Sequence, residues 1–217
     1  KSFSIMQSMR NRLQSKKLLA WVLSVAGIMF ALMVYQLGSP AGLSKVEARQ
    51  IGLILLDEPR ELDPVSLTQD SGEAFTAVDF EGQWNVLFFG FTHCPDICPT
   101  TMATLASAKA RAEHEFPRVW LVTVDPQRDT PDQLDLYLKE FDSEFTGITG
   151  EIQEIKALAK QVYVTVGHMS DVNSTGYNVD HGSSLVLVDS SGRHAGYIRS
   201  PHSVTNLLTI IKNLPSN

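Results

Sequence analysis

The chain has 217 residues, 43% apolar and 19% charged, which excludes a disordered, collagen-like or low-complexity chain. Two cysteines are too few for a disulfide scaffold or for a self-contained zinc site of four cysteines. The net charge of -6 is opposite in sign to that of a nucleic-acid binder.

The charge is unevenly spread. Residues 1–17 hold five basic side chains and no acid, residues 18–44 hold no charge, and the remainder holds 13 basic and 24 acidic residues. Leu18 to Tyr35 is an uncharged apolar run with Trp21 and Tyr35 near its ends. At ~1.5 Å per residue it covers ~27 Å, against a bilayer core of ~30 Å. This predicts a transmembrane helix over 18–38; a cleaved signal peptide has a shorter apolar core followed by a small-residue cleavage pattern. The basic flank places residues 1–17 in the cytoplasm and the acidic body outside. Ser39-Pro40-Ala41-Gly42 begins a linker over 39–49, and residues 50–217 form one domain.

Within that domain, Phe75–Phe80 alternates weakly, as an outer strand does. Trp84–Gly90 and Val119–Val124 are continuous apolar runs, as in strands covered on both faces. An Ala-rich helix runs from about Pro99 to Glu115. Asp129-Thr130-Pro131 starts another, with proline where its missing N–H costs nothing. Ile152, Ile155, Ala159 and Val162 mark a third at helical spacing. Residues 166–179 have no period and read as a functional loop. Ser184–Asp189 and Ala195–Arg199 flank Ser190-Ser191-Gly192 as a hairpin, and a helix capped by Ser203 follows. Strands alternating with helices, then a hairpin and a helix, predict an α/β domain of thioredoxin-like fold.

Both cysteines lie in Phe89-Gly90-Phe91-Thr92-His93-Cys94-Pro95-Asp96-Ile97-Cys98-Pro99, where a buried strand ends and a helix begins. Helix N-terminal N–H groups favour negative charge, so a cysteine there ionises readily and becomes a nucleophile or metal ligand. If the helix includes both, their Cβ atoms lie ~5–6 Å apart on one face. Three readings stay open: an inert structural disulfide, a redox pair, and a metal site that needs one more ligand. His93 adjoins the pair as a neighbour of the thiolate. His114, His194 and His202 read as solvated surface residues, and His168 as part of a surface loop. His181 leads directly into the Ser184–Asp189 strand, on the side from which a thioredoxin-like fold brings that loop to the start of the cysteine-bearing helix.

FFGFTHCPDICPTT, VTVDPQRDTP, the GITG at 147–150 and YNVDH together resemble the Sco/SenC family, over roughly residues 50–214. Its members are membrane-anchored copper proteins of thioredoxin-like fold that assist assembly of cytochrome c oxidase. The resemblance implies copper, Cu(I) or Cu(II), at Cys94, Cys98 and His181, with Asp125 and Asp180 near the site. Gly182 stands where family members often have Ser or Thr. Two thiolates and an imidazole suit Cu(I), and only the dithiol binds metal, so a disulfide between the cysteines switches the site off. The partners implied are cytochrome c oxidase subunit II or its precursor, and other periplasmic copper carriers or thiol reductants. The implied location is the bacterial inner membrane, with the C-terminal domain in the periplasm, or the mitochondrial inner membrane. A thiol–disulfide reductase acting on the oxidase copper centre is the alternative function. A peroxidase of peroxiredoxin type fits less well, because Phe91 stands three residues before Cys94 where that active site has Thr.

Overall fold

A computed structural model describes residues 17, 21–30, 33, 43–166 and 183–215. The chain divides into two compact units, Lys1–Gly42 and Leu43–Asn217. In the first, residues 17, 21–30 and 33 are helical and exposed. No helix of the described residues is long and apolar enough to cross a membrane. Most of the span expected at 18–38 lies outside the described residues.

The second unit starts with a short helix, α1 (Lys45–Gln50), inside the stretch expected to be linker. Ser44 caps it and Glu47 reaches back to the Ser44 N–H, a reciprocal capping box. Ala48 and Ile51 pack against the core, so this segment belongs to the domain. The strands among the described residues are β1 (Leu53–Arg60), β2 (Leu67–Gln69), β3 (Ala74–Phe75), β4 (Asn85–Gly90), β5 (Arg118–Thr123), β6 (Thr146–Thr149), β7 (Leu185–Val188) and β8 (His194–Ile198). Further helices are α2 (Ile97–Lys109), α3 (Pro131–Lys139), α4 (Ile152–Gln161) and α5 (Val204–Lys212). The strands form one sheet in the order β1-β8-β7-β4-β5-β6-β2-β3. β4, β5 and β6 are parallel, β7 pairs antiparallel with β4, and β8 pairs antiparallel with β7, as expected for a thioredoxin-like domain.

β4 explains the layering. All six of its residues are buried. Val86 and Phe88 point to one face with Cys98, Met102 and Leu105 of α2, Leu134 and Leu138 of α3, and Leu207 and Ile210 of α5. Leu87 and Phe89 point to the other, with Phe75, Phe80, Trp120 and Ile155. Period-two alternation therefore feeds two cores from one apolar run, and helices on both faces shield the strand.

Several elements differ from expectation. Phe75–Phe80 is not one strand: β3 ends at Phe75, and Ala77–Phe80 forms a 3-10 turn. That turn swings Phe80 back onto Phe75 and Trp120 in edge-to-face contacts with centroids 5.0 and 5.7 Å apart. α2 starts two residues before Pro99 and ends at Lys109 rather than near Glu115. β1, β2 and β6 carry no clear sequence signal. β6 is four residues long, and β1 is exposed beyond Leu53 because it is an edge strand with one partner.

Candidate metal centre

β4 ends at Gly90, the chain turns through Phe91–Pro95, and α2 begins at Ile97 behind its N-cap Asp96. The parallel pairing of β4 with β5 and the packing of α2 on the sheet fix this junction. Cys94 therefore stands just before the helix and Cys98 in its first turn. Neither cysteine is in a disulfide. The Cys98 N–H donates to Cys94 Sγ at 3.3 Å, and the Cys94 N–H donates to the Phe91 carbonyl at 3.2 Å.

The two sulfurs differ in surroundings. Cys94 is partly exposed, whereas Cys98 is fully buried. Burial, reinforced by the neighbouring Cys94 sulfur, pushes the Cys98 thiol far above the ordinary cysteine range. Metal-free, Cys98 is thus a neutral thiol, while Cys94 receives an N–H from the start of the helix. Gly90 makes room for this. A Cβ there would lie 3.0 Å from Cys98 Sγ and 2.9 Å from the Phe88 ring, closer than ordinary packing allows.

Asp129 organises the loop that carries Cys94, although in the sequence it marks only a helix start. It is fully buried on the short connection from β5 to α3. Its carboxylate accepts from the Thr92 N–H at 3.0 Å, Thr92 Oγ1 at 2.6 Å and Thr123 Oγ1 at 2.6 Å. Three donors satisfy a buried carboxylate and tie the residue two before Cys94 to the end of β5. The available signal was an acid on the connection after β5, directly before the Thr-Pro helix start, which gives no hint of burial. Asp125 is also buried, pairs with Arg128, and receives Thr123 Oγ1 as an acceptor of its own N–H.

His93 is exposed; its Nδ1 lies 3.0 Å from Thr92 Oγ1 and 3.8 Å from Asp129 Oδ1. His181, Asp180 and His168 lie outside the described residues. Among the described residues no group of three His, Cys, Asp or Glu side chains could hold a metal ion. The two cysteines thus come together as expected, and His181, expected as the third ligand, lies outside the described residues. Of the histidines read as solvated, only His114 is exposed. His194 is fully buried, because β8 pairs with both β1 and β7 at that position. His202 is partly buried, with Nε2 2.7 Å from the Ser183 carbonyl.

Residues 57–216 match the sequence pattern of the SCO1/SenC family. The mouse protein "Protein SCO1 homolog, mitochondrial" is 34% identical over 190 residues, 84% of this chain and 64% of that protein. The crystal structure of Arabidopsis thaliana ScoI with copper bound superposes with a TM-score of 0.62 at 34% identity, covering 70% of this chain and 96% of that one. The structure of Bradyrhizobium japonicum ScoI with copper bound gives a TM-score of 0.60 at 28% identity, covering 71% and 99%.

Proposed function

The chain belongs to the SCO1/SenC family, and on that premise we propose that it carries copper and assists assembly of the dinuclear copper centre in cytochrome c oxidase. Copper is its cargo, held by Cys94, Cys98 and His181. The observation that carries this reading is the pair of reduced cysteines at the start of α2, one accessible and one buried, with a helix N–H directed at the accessible sulfur. Two soft sulfurs and an imidazole match Cu(I) and still accept Cu(II). Partial exposure of Cys94 gives a partner's ligand a route of attack, so the ion transfers by ligand exchange. A single anchor over residues 18–38, with the body on the periplasmic side of a bacterial inner membrane, would confine the carrier to the surface where oxidase subunit II is assembled.

The test is a strain lacking this protein. At limiting copper it should lose assembled copper-containing oxidase, and added copper should restore part of it by mass action. His181→Ala should resemble the deletion although both cysteines remain. Normal oxidase in a stably expressed His181→Ala strain at limiting copper refutes the copper role.

One observation favours a second reading, a thiol–disulfide reductase for the cysteines of that centre. The asymmetry between an accessible Cys94 and a buried Cys98 is that of an attacking and a resolving thiol. Under this reading a small thiol reductant rescues the deletion strain, copper does not, and His181→Ala behaves as the parent.

A further inference from the structure

Large apolar side chains are rarely exposed in the second unit, yet two of them, Val46 at 67% and Leu55 at 40%, lie on its first two elements, α1 and β1. A single exposed valine or leucine is ordinary. The surroundings of these two are not. Lys45 and Arg49 stand exposed beside Val46 on α1, one turn apart, while Ala48 and Ile51 face the core. Arg199 is exposed next to Gly52, whose carbonyl accepts its N–H at 2.9 Å. Glu47, the one acid between Leu43 and Leu56, is turned to Ser44 in the capping box. Lys45 pairs with Asp57 at 2.7 Å, but the two side chains are 85% and 87% exposed. A pair so exposed is weak and leaves the ammonium free to change partners. This basic and apolar corner belongs to a body with 24 acids against 13 bases beyond residue 44.

β1 also has an open edge. It pairs with β8 alone, in register from Leu53 to Leu55, and the sheet ends there. Open edges are normally blunted or covered. Asp57, Glu58 and Pro59 blunt the far half. The near half, Leu53–Leu56, carries no charge and no second strand partner among the described residues.

Chain length says what lies opposite this edge. Leu43 follows residue 38 by five residues, which reach at most ~17 Å when fully extended. A compact unit of this length is ~40 Å across, more than twice that reach. Resting on the anchor proposed over residues 18–38, we propose that the α1–β1 edge is a docking surface for anionic phospholipid. Lys45, Arg49 and Arg199 meet the headgroup phosphates, and Val46 and Leu55 settle between the headgroups. The contact goes no deeper, because an open strand edge is not tolerated in hydrocarbon. Direction alternates along β1, β8, β7 and β4, so β4 ends, and Cys94 stands, at the end of the sheet where β1 begins. Three strand spacings separate β4 from β1, ~14 Å. Docking on this edge therefore holds the cysteines at a fixed, short height above the lipid.

The test uses the reduced, metal-free, full-length protein with its body outside vesicles of phosphatidylcholine, alone or with about a third phosphatidylglycerol. Backbone hydrogen exchange is read by mass spectrometry. Exchange over residues 45–56 should be about fivefold slower on the anionic vesicles, the worth of one cation at a charged surface. Residues 67–75, at the opposite edge of the sheet, should exchange equally on both. The double variant Val46→Ser with Arg49→Gln should remove most of the difference, and so should added salt. Each protein is compared with itself on the neutral vesicles, so any loosening of α1 by the substitutions cancels. Equal exchange over 45–56 on both vesicles, with the protein retained on them, overturns the inference and leaves the anchor standing. A slowing that survives the double variant overturns it as well. If the slowing grows with the number of protein molecules per vesicle, the edge belongs to a second copy and the lipid assignment falls. Release of the parent from both vesicles by a high-salt wash means that the anchor reading fails first and this inference with it.

Discussion

Asp129 sets the position of Cys94 without touching it. Its carboxylate gathers a backbone N–H and two hydroxyls from Thr92 and Thr123, both on segments that end at the site. Asp129→Asn replaces one acceptor oxygen by a donor facing those donors, in a place water does not reach. The expected cost is ~2–4 kcal/mol in urea unfolding, and the Cys94 thiol should become more reactive toward a bulky thiol reagent as the 92–93 turn loosens. A variant as stable as the parent shows that the Thr92 contacts are not structural. Gly90→Ala is the complementary change. The added methyl meets Phe88, Cys98 Sγ and Leu121 at 2.9–3.2 Å. Overpacking of this kind costs ~1–3 kcal/mol, and here it should also slow disulfide formation between the cysteines by displacing Cys98. Equal oxidation rates in parent and variant count against the role given to Gly90.

Among the described helices, α2 and α4 lack a side-chain cap bond from their N-cap residue, and in α2 a sulfur stands in for it. α1, α3 and α5 are capped by Ser44, Thr130 and Ser203, whose side chains accept an N–H from the first turn. Asp96 occupies the cap of α2 but makes no such bond. The first-turn N–H of Cys98 goes instead to Cys94 Sγ, so a sulfur takes the place of a capping oxygen. Thr130→Ala should therefore cost ~1 kcal/mol in chemical unfolding, whereas Asp96→Ala should cost clearly less. Equal losses would show that Asp96 caps the helix after all. β8 brings a second case of polar burial. Neither ring nitrogen of His194 has a partner at hydrogen-bond geometry, and the ring stacks edge-on against Tyr197 at 4.8 Å, with Tyr163 at 6.3 Å. Burial, aided by the nearby Arg60 charge, lowers its pKa below the ordinary 6.5. The folded state thus resists a proton that the unfolded chain accepts. Stability is complete above about 6.5 and is lost as pH falls below it, until the folded-state value is passed. Burial shifts His202 in the same direction. The melting temperature should drop between pH 7 and pH 5, and His194→Phe should flatten that slope. A slope unchanged in His194→Phe places the pH dependence elsewhere.

At the scale of the molecule, both cores are built from residues between Leu53 and Ile210, and the compact unit begins at Leu43. Deleting residues 1–42 should leave a soluble, cooperatively folded protein whose melting temperature stays within a few degrees of the full chain. Insolubility under reducing conditions means that the N-terminal segment contributes to the fold. Orientation is tested separately. A reporter active only in the periplasm should work when fused after Asn217 and stay silent when fused before Lys1; the reverse pattern excludes the proposed topology. The acidic balance of the body, with 24 acids against 13 bases beyond residue 44, should favour a partner surface with basic character and make delivery slow with rising salt.

What the sequence determined by itself follows from local rules. Continuous apolar runs specified β4, β5 and β7, helical spacing specified α4, and Thr130-Pro131 and Ser203 marked helix starts, because each signal sits within a few residues of its effect. The Cys94–Cys98 spacing located the candidate metal centre for the same reason. Tertiary structure alone decided the rest. Asp129 and His194 look like surface residues because polar side chains usually are, yet Asp129 is buried beside Thr92 and Thr149 and His194 between β1 and β7. β1, β2 and β6 are too short or too exposed to show a period, and exist because the sheet offers them an edge. The inequality of the two cysteines likewise has no local cause: four residues apart on one loop and helix start, they differ because α2 lays Cys98 inside the core against Gly90 while Cys94 packs at the core's edge and stays partly exposed.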